Sequence, residues 1–192
     1  MSTAAEIKFP YAEAKHYADR VVQLLAPHCH RCEIAGSIRR CKAEVKDIEI
    51  VCIPKRNKLI GLFSEEDGDP VKEFCDQVNR WRKVKGEPTG KYTQRILPGN
   101  GIKLDLFIVN PDNWGFQFAI RTGSANYSAQ TLGVAWVKAG YKGIDGMLTW
   151  VKADFKDVDG ILIKRGAIVP VREEKDFFEL IGVPFTEPEN RI

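Results

Sequence analysis

Lys46-Asp47-Ile48-Glu49-Ile50-Val51 decides the fold of this chain, because acids and aliphatics alternate through it. Residues two apart in a strand share a face, so Asp47 and Glu49 set two carboxylates side by side and Ile48 and Ile50 lie opposite. A second strand-like run, Lys103-Leu104-Asp105-Leu106-Phe107-Ile108-Val109, offers a third carboxylate at Asp105. Together Asp47, Glu49 and Asp105 would complete a site of hard oxygen ligands suited to Mg²⁺, the kind of site that moves phosphates.

Upstream of the acids, a strand over 31–35 turns at Gly36-Ser37 into a short helical piece, and the acid strand follows over 45–53, closed by Pro54. Backbone N–H groups at that helix start and the Ser37 hydroxyl would grip phosphate oxygens, while Arg40 and Arg39 neutralise charge. In a two-metal scheme, Asp47 and Glu49 bridge both ions, and Asp105 binds the second near a nucleophile whose proton it accepts. Taken singly these signals are weak. A Gly-Ser turn is commonplace, and an isolated Asp-x-Glu pair more often partners nearby arginines at the surface.

Farther out, 10–25 carries helical spacing through Ala14, Tyr17, Ala18, Val21, Val22 and Leu25. Asp69-Pro70 introduces a helix running to Trp81, and 83–97 reads as a hairpin around Gly86-Glu87-Pro88-Thr89-Gly90. Pro111-Asp112-Asn113 marks a boundary between residues 1–110 and 111–192. Beyond it the sequence predicts a helix over 114–121, a turn at Thr122-Gly123-Ser124, one helix over 126–139, and strands over 147–151 and 161–163. The fold class is therefore α/β (α+β): a mixed sheet with flanking helices, followed by a small C-terminal α+β subdomain.

At 192 residues and 44% hydrophobic content the chain can bury a core, which excludes disordered and fibrous classes. A net charge of +3 permits nucleic-acid binding without announcing it. Local clusters carry more weight: Arg39, Arg40, Lys42 and Lys46 crowd the acids, and Arg80, Arg82, Lys83, Lys85, Lys91 and Arg95 interleave with Trp81 and Tyr92. The plain reading of such a run is a solvated charged face. Five cysteines and no signal-peptide pattern point to a reducing, cytoplasmic setting, and no stretch is apolar enough to span a membrane. His28-Cys29-His30-Arg31-Cys32 has the look of a zinc knuckle but lacks a second pair at suitable spacing, so ordinary strand-edge residues are expected there.

The chain resembles a family X DNA polymerase, the group typified by DNA polymerase beta. The resemblance rests on Gly36-Ser37-Ile38-Arg39-Arg40, Asp47-Ile48-Glu49, Asp105 within a strand, Thr122-Gly123-Ser124, and the tail from Pro170 through Phe178 to Gly182-Val183-Pro184-Phe185, with Pro188 and Arg191. It implies a nucleotidyltransferase-type palm over 1–110 with its metal site, and a subdomain over 111–192 that binds the nascent base pair. The implied activity is template-directed addition of deoxynucleotides to a primer 3′-hydroxyl, filling short gaps in DNA repair at low fidelity. Two Mg²⁺ ions, with Mn²⁺ as a substitute, a dNTP and primed or gapped DNA are the implied cofactors and partners, and a monomer is expected. Nucleotide contacts carried over are Gly36, Ser37, Arg39, Arg40, Arg121, Thr122, Gly123, Ser124 and Ser128. The implied form is a minimal core without the lyase and helix-hairpin-helix domains of relatives.

Four residues at three places depart from the family's pattern. Glu49 stands where the family most often has Asp, Ile120-Arg121 where relatives have aromatic residues that discriminate against ribose, and Leu132 where relatives place a long basic residue that checks the template base. Ser128 or Asn126 could offer a substitute hydrogen bond at that last position. Two other readings stay open: a template-independent or non-DNA nucleotidyltransferase, and a catalytically inactive nucleic-acid-binding module.

Overall fold

The computed structural model describes residues 7–60, 65–152, 154–158 and 160–192. It is a mixed α/β structure with six α-helices and a five-stranded mixed sheet among those residues, and it divides into two compact units, one ending at Val109 and the other spanning Asn110–Ile192.

In the first unit, a short β1 (Phe9–Pro10) leads into α1 (Tyr11–Leu25), which buries Ala14, Ala18, Val21 and Leu25 at helical spacing. Then come β2 (Cys29–Ile34), α2 (Gly36–Arg39), β3 (Glu44–Val45) and β4 (Asp47–Pro54), so the acid strand ends at the proline expected to close it. The strands β5 (Arg56–Ile60) and β6 (Glu65–Pro70) form an antiparallel hairpin that the sequence reading did not anticipate. Helix α3 covers Lys72–Asn79 and buries Phe74 and Val78; β7 (Arg82–Lys85), β8 (Tyr92–Ile96) and β9 (Lys103–Ile108) complete the unit.

The main sheet has the order β2-β4-β9-β8-β7, antiparallel throughout except for the parallel β4–β9 pair. Helices α1 and α3 cover one face, where Ile48, Ile50, Cys52, Leu104, Leu106 and Ile108 join the core. The opposite face carries Asp47, Glu49 and Asp105, all half-buried, and farther along the same strands the buried Val51, Ile53 and Phe107. One member of the basic run breaks the expectation of a solvated charged face. Arg95 lies on the core side of β8, fully buried, and donates to the Gly86 carbonyl and to Asn79 Oδ1, both at 3.2 Å. Burial without a carboxylate partner would be costly, so these carbonyl oxygens are what make the position tolerable.

The second unit opens with α4 (Trp114–Thr122), followed where one long helix was expected by wide π-type turns over Tyr127–Gly133 and then α5 (Val134–Ala139). Gly133 and the β-branched Thr131 are poor helix formers, which favours the irregular stretch. Two antiparallel hairpins follow, β10 (Tyr141–Ile144) with β11 (Met147–Trp150) and β12 (Phe155–Val158) with β13 (Ile161–Lys164), and then α6 (Glu174–Leu180). Helix α6 docks on α4 at Gly115, where any side chain would overlap the Glu173 backbone and where the Gly115 N–H donates to the Val171 carbonyl at 2.8 Å. The core gathers Phe116, Tyr127, Leu132, Tyr141, Trp150, Phe177 and Phe178. No helix among the described residues is long and apolar enough to cross a membrane.

Candidate functional site

The parallel register of β4 and β9 makes Glu49 and Asp105 direct neighbours, and Asp47 lies two residues back on the same face of β4, beside Lys103. All three carboxylates thus occupy adjacent positions on the side of the sheet opposite α1 and α3. Asp105 is fixed from β8, where Gln94 is its register partner: Tyr92 Oη and Gln94 Nε2 donate to Oδ1 at 2.6 and 2.7 Å. Oδ2 accepts no hydrogen bond among the described residues. Sequence reasoning missed Gln94 as a site residue and took Tyr92 only as part of a basic run. The available signal was the alternation in Tyr92-Thr93-Gln94-Arg95, which puts Tyr92 and Gln94 on one face, opposite the buried Thr93 and Arg95.

Glu49 meets the turn that precedes it in the chain. Ala35 donates its N–H to the Glu49 carbonyl at 2.8 Å, and the next residue, Gly36, has φ +61°. A Cβ on Gly36 would overlap the Glu49 carboxylate, standing 2.7 Å from Cδ. Gly36 is therefore required twice, once by its left-handed backbone and once by the closeness of Glu49. Changing Gly36 to Ala is expected to lower the stability of the first unit by about 1–2 kcal/mol from backbone conformation alone, with a further loss from displacing Glu49. Urea unfolding followed by far-UV circular dichroism checks this, and an unchanged midpoint would show that the turn relaxes freely.

Ser37 follows, its hydroxyl oxygen buried with no hydrogen-bond partner among the described residues. An orphaned hydroxyl beside paired acids has an unused donor and unused lone pairs to offer a ligand. Arg40 closes the turn, half-buried. Burial pulls its guanidinium below the ordinary range, and the charges of Glu49 and then Asp47 oppose that shift. Arg39 is half-buried on the last turn of α2.

The donor chemistry of Asp47, Glu49 and Asp105, three carboxylates with no nitrogen or sulfur, fits a hard dication. Their side chains as positioned do not converge into a closed ligand cluster among the described residues, since Glu49 rests over Gly36 and Asp105 Oδ1 is engaged by Tyr92 and Gln94. On the same side of the sheet, Lys85 Nζ sits 5.1 Å from the Tyr92 ring centroid, and every residue of β7 is exposed.

The remaining residues expected at the site belong to the second unit. Arg121 is half-buried on α4 and Thr122 is fully buried at its end. Gly123 caps the helix with its N–H on the Ala119 carbonyl at 3.2 Å. Ser124 Oγ accepts from the Tyr127 N–H at 3.0 Å, and the Ser124 N–H donates to the Arg191 carbonyl at 2.9 Å. The Ser128 hydroxyl is spent on the Ile120 carbonyl at 2.8 Å, Asn126 is exposed, and Leu132 is fully buried in the core. Leu132 thus presents nothing to a ligand, and Ser128 is held within the turn.

No family model matches the chain, and no curated protein matches it.

Proposed function

We propose that the chain is a nucleotidyltransferase of the family X DNA polymerase type, adding deoxynucleotides to a primer 3′-hydroxyl. The observation that carries the reading is the neighbouring register of Glu49 and Asp105, with Asp47 on the same face and the Gly36-Ser37 turn against Glu49. Asp47, Glu49 and Asp105 would hold Mg²⁺ or Mn²⁺. Bound divalent ions would supply charge neutralisation of a triphosphate and a lowered pKa for the attacking hydroxyl. Asp105, oriented through Oδ1 by Tyr92 and Gln94, presents Oδ2 to accept the proton of the primer hydroxyl. Ser37 donates its hydroxyl to a phosphate oxygen, and Arg40, whose charge interacts with those of Glu49 and Asp47, offsets the charge that develops as the α-phosphate bond to pyrophosphate breaks. The exposed Arg82, Lys83 and Lys85 of β7 supply contacts to a DNA backbone, so binding weakens steeply with salt.

A second reading, addition without regard to a template, is favoured by one observation: Leu132, at the position where relatives carry a base-checking side chain, is sealed in the core. A labelled primer on a template with a one-nucleotide gap separates the two, with each deoxynucleotide and ribonucleotide offered singly under Mg²⁺ or Mn²⁺. Extension dictated by the template base supports the polymerase, addition blind to it supports a terminal transferase, and no addition under any condition rejects both. Arg40→Ala is expected to raise the nucleotide KM about tenfold or more while changing DNA affinity little; the opposite split would make Arg40 a DNA contact.

A further inference from the structure

Three of the five cysteines meet on the core face of the sheet, away from the acids. Cys29 and Cys32 are three residues apart on β2, a spacing that puts side chains on opposite faces of a regular strand. Here the register slips by one residue between Cys29 and Arg31: Cys29 faces Pro54, Arg31 faces Ile53, and Cys32 faces Cys52. The bulge restores both sulfurs to the face that Cys52 and Pro54 share on β4. On that face Cys32 stands directly opposite Cys52, and Cys29 is the diagonal neighbour of Cys52. Cys32 and Cys52 donating to it hold Cys29 well below the usual thiol range, while burial and the charge on Cys29 push Cys52 up. Cys32, likewise raised by its bond to Cys29, is the partly exposed member, and Cys29 and Cys52 are buried. The two remaining cysteines have no such company: Cys41 is exposed with its thiol toward the Arg39 carbonyl, and Cys75 reaches the Pro70 carbonyl.

We propose that Cys29, Cys32 and Cys52 form a site of oxidative modification, at which a hydroperoxide converts the cluster to a Cys32–Cys52 disulfide by way of Cys29. In the first step, the Cys29 thiolate attacks a peroxide oxygen. An S–O bond forms, the O–O bond breaks, and the peroxide leaves as an alcohol or water after taking a proton. The Cys32 sulfur then displaces the hydroxyl of the Cys29 sulfenic acid, which departs as water with the Cys32 proton, leaving a Cys29–Cys32 bond. Finally the Cys52 sulfur attacks the Cys32 sulfur, the Cys32–Cys29 bond breaks, and the Cys52 proton passes to the departing Cys29 sulfur. Two thiols are oxidised and one peroxide is reduced. The end point is set by backbone geometry: residues directly opposed in an antiparallel pair have Cα atoms about 4.5–5.5 Å apart, inside the disulfide range of about 4.4–6.8 Å, whereas diagonal neighbours sit about 7–8 Å apart.

Trypsin tests this cleanly, because it leaves each cysteine in its own peptide: 21–31, 32–39, 41–42, 47–55 and 73–80. The intact protein is treated with a stoichiometric series of hydrogen peroxide, free thiols are blocked with N-ethylmaleimide, and the digest is mapped by mass. Peptides 32–39 and 47–55 are expected joined, two hydrogens lighter than their sum, with Cys75 still alkylated. Unjoined alkylated peptides at peroxide levels that oxidise free glutathione would overturn the proposal, as would a stable bond from Cys29, or sulfinic acid at any of the three without a cross-link. Cys29→Ser is expected to give the same bond about tenfold more slowly; an unchanged rate removes Cys29 from the path. The wild-type map decides the pairing even if that variant folds poorly.

Discussion

Asp105→Ala lowers nucleotide incorporation at least about 10³-fold, equivalent to about 4 kcal/mol of transition-state stabilisation, while DNA binding stays within about twofold of wild type. The size follows from the position: Asp105 sits beside Glu49 in the parallel register and its Oδ1 is already engaged by Tyr92 and Gln94, so its charge is aimed rather than mobile. Asp105→Asn separates charge from packing, since an amide oxygen still accepts from Tyr92 and Gln94. Both variants should be equally impaired in single-turnover incorporation on gapped DNA. An active Asn variant would mean that the carboxylate charge is not used, and an active Ala variant would remove Asp105 from the chemistry altogether.

Arg191→Leu should destabilise the second unit by about 3–5 kcal/mol, the usual cost of leaving one partner of a buried ion pair without the other. Arg191 is fully buried. Its guanidinium donates to Glu174 Oε1 at 2.5 Å and to the Thr186 carbonyl at 2.7 Å, and lies 4.9 and 5.1 Å from the ring centroids of Phe178 and Phe185. The double variant Glu174→Leu with Arg191→Leu should recover much of the loss, because no charge is then stranded. Tryptophan fluorescence during urea unfolding reports on it, as Trp114, Trp136 and Trp150 lie in this unit and only Trp81 lies in the other. A single variant within about 0.5 kcal/mol of wild type would show that water reaches Glu174.

The acid strand could be read from the sequence because its two faces differ sharply: Ile48, Ile50 and Cys52 demand a core while Asp47 and Glu49 refuse one. The Asp105 strand yields to the same reasoning, and so does the hairpin that supports it. What escaped was set by distant partners. Arg95 and Arg191 look like surface residues until Asn79, Gly86 and Glu174 are brought to them by the fold. The β2 bulge escaped because nothing in Cys29-His30-Arg31-Cys32 itself says that β4 will pair one residue out of step. Short elements such as β10, with Gly143 inside it, and α6, half of it charged, carry too few residues for a period to emerge. At the site, Ser128 and Leu132 were placed by resemblance, and the local packing assigns one to a turn and the other to the core.

The Arg191 anchorage bears on how the chain is made. During translation the main sheet of the first unit has all its strands once Ile108 has cleared the ribosome, so that unit can fold on the nascent chain. The second unit stays open far longer. Glu174, Phe178 and the Ser124 N–H all wait for the residue at 191, and until it emerges a buried carboxylate and an aromatic cluster stand exposed to chaperones and proteases. Chains cut short before Arg191 should therefore be degraded as a rule, with the first unit surviving as the protease-resistant remnant.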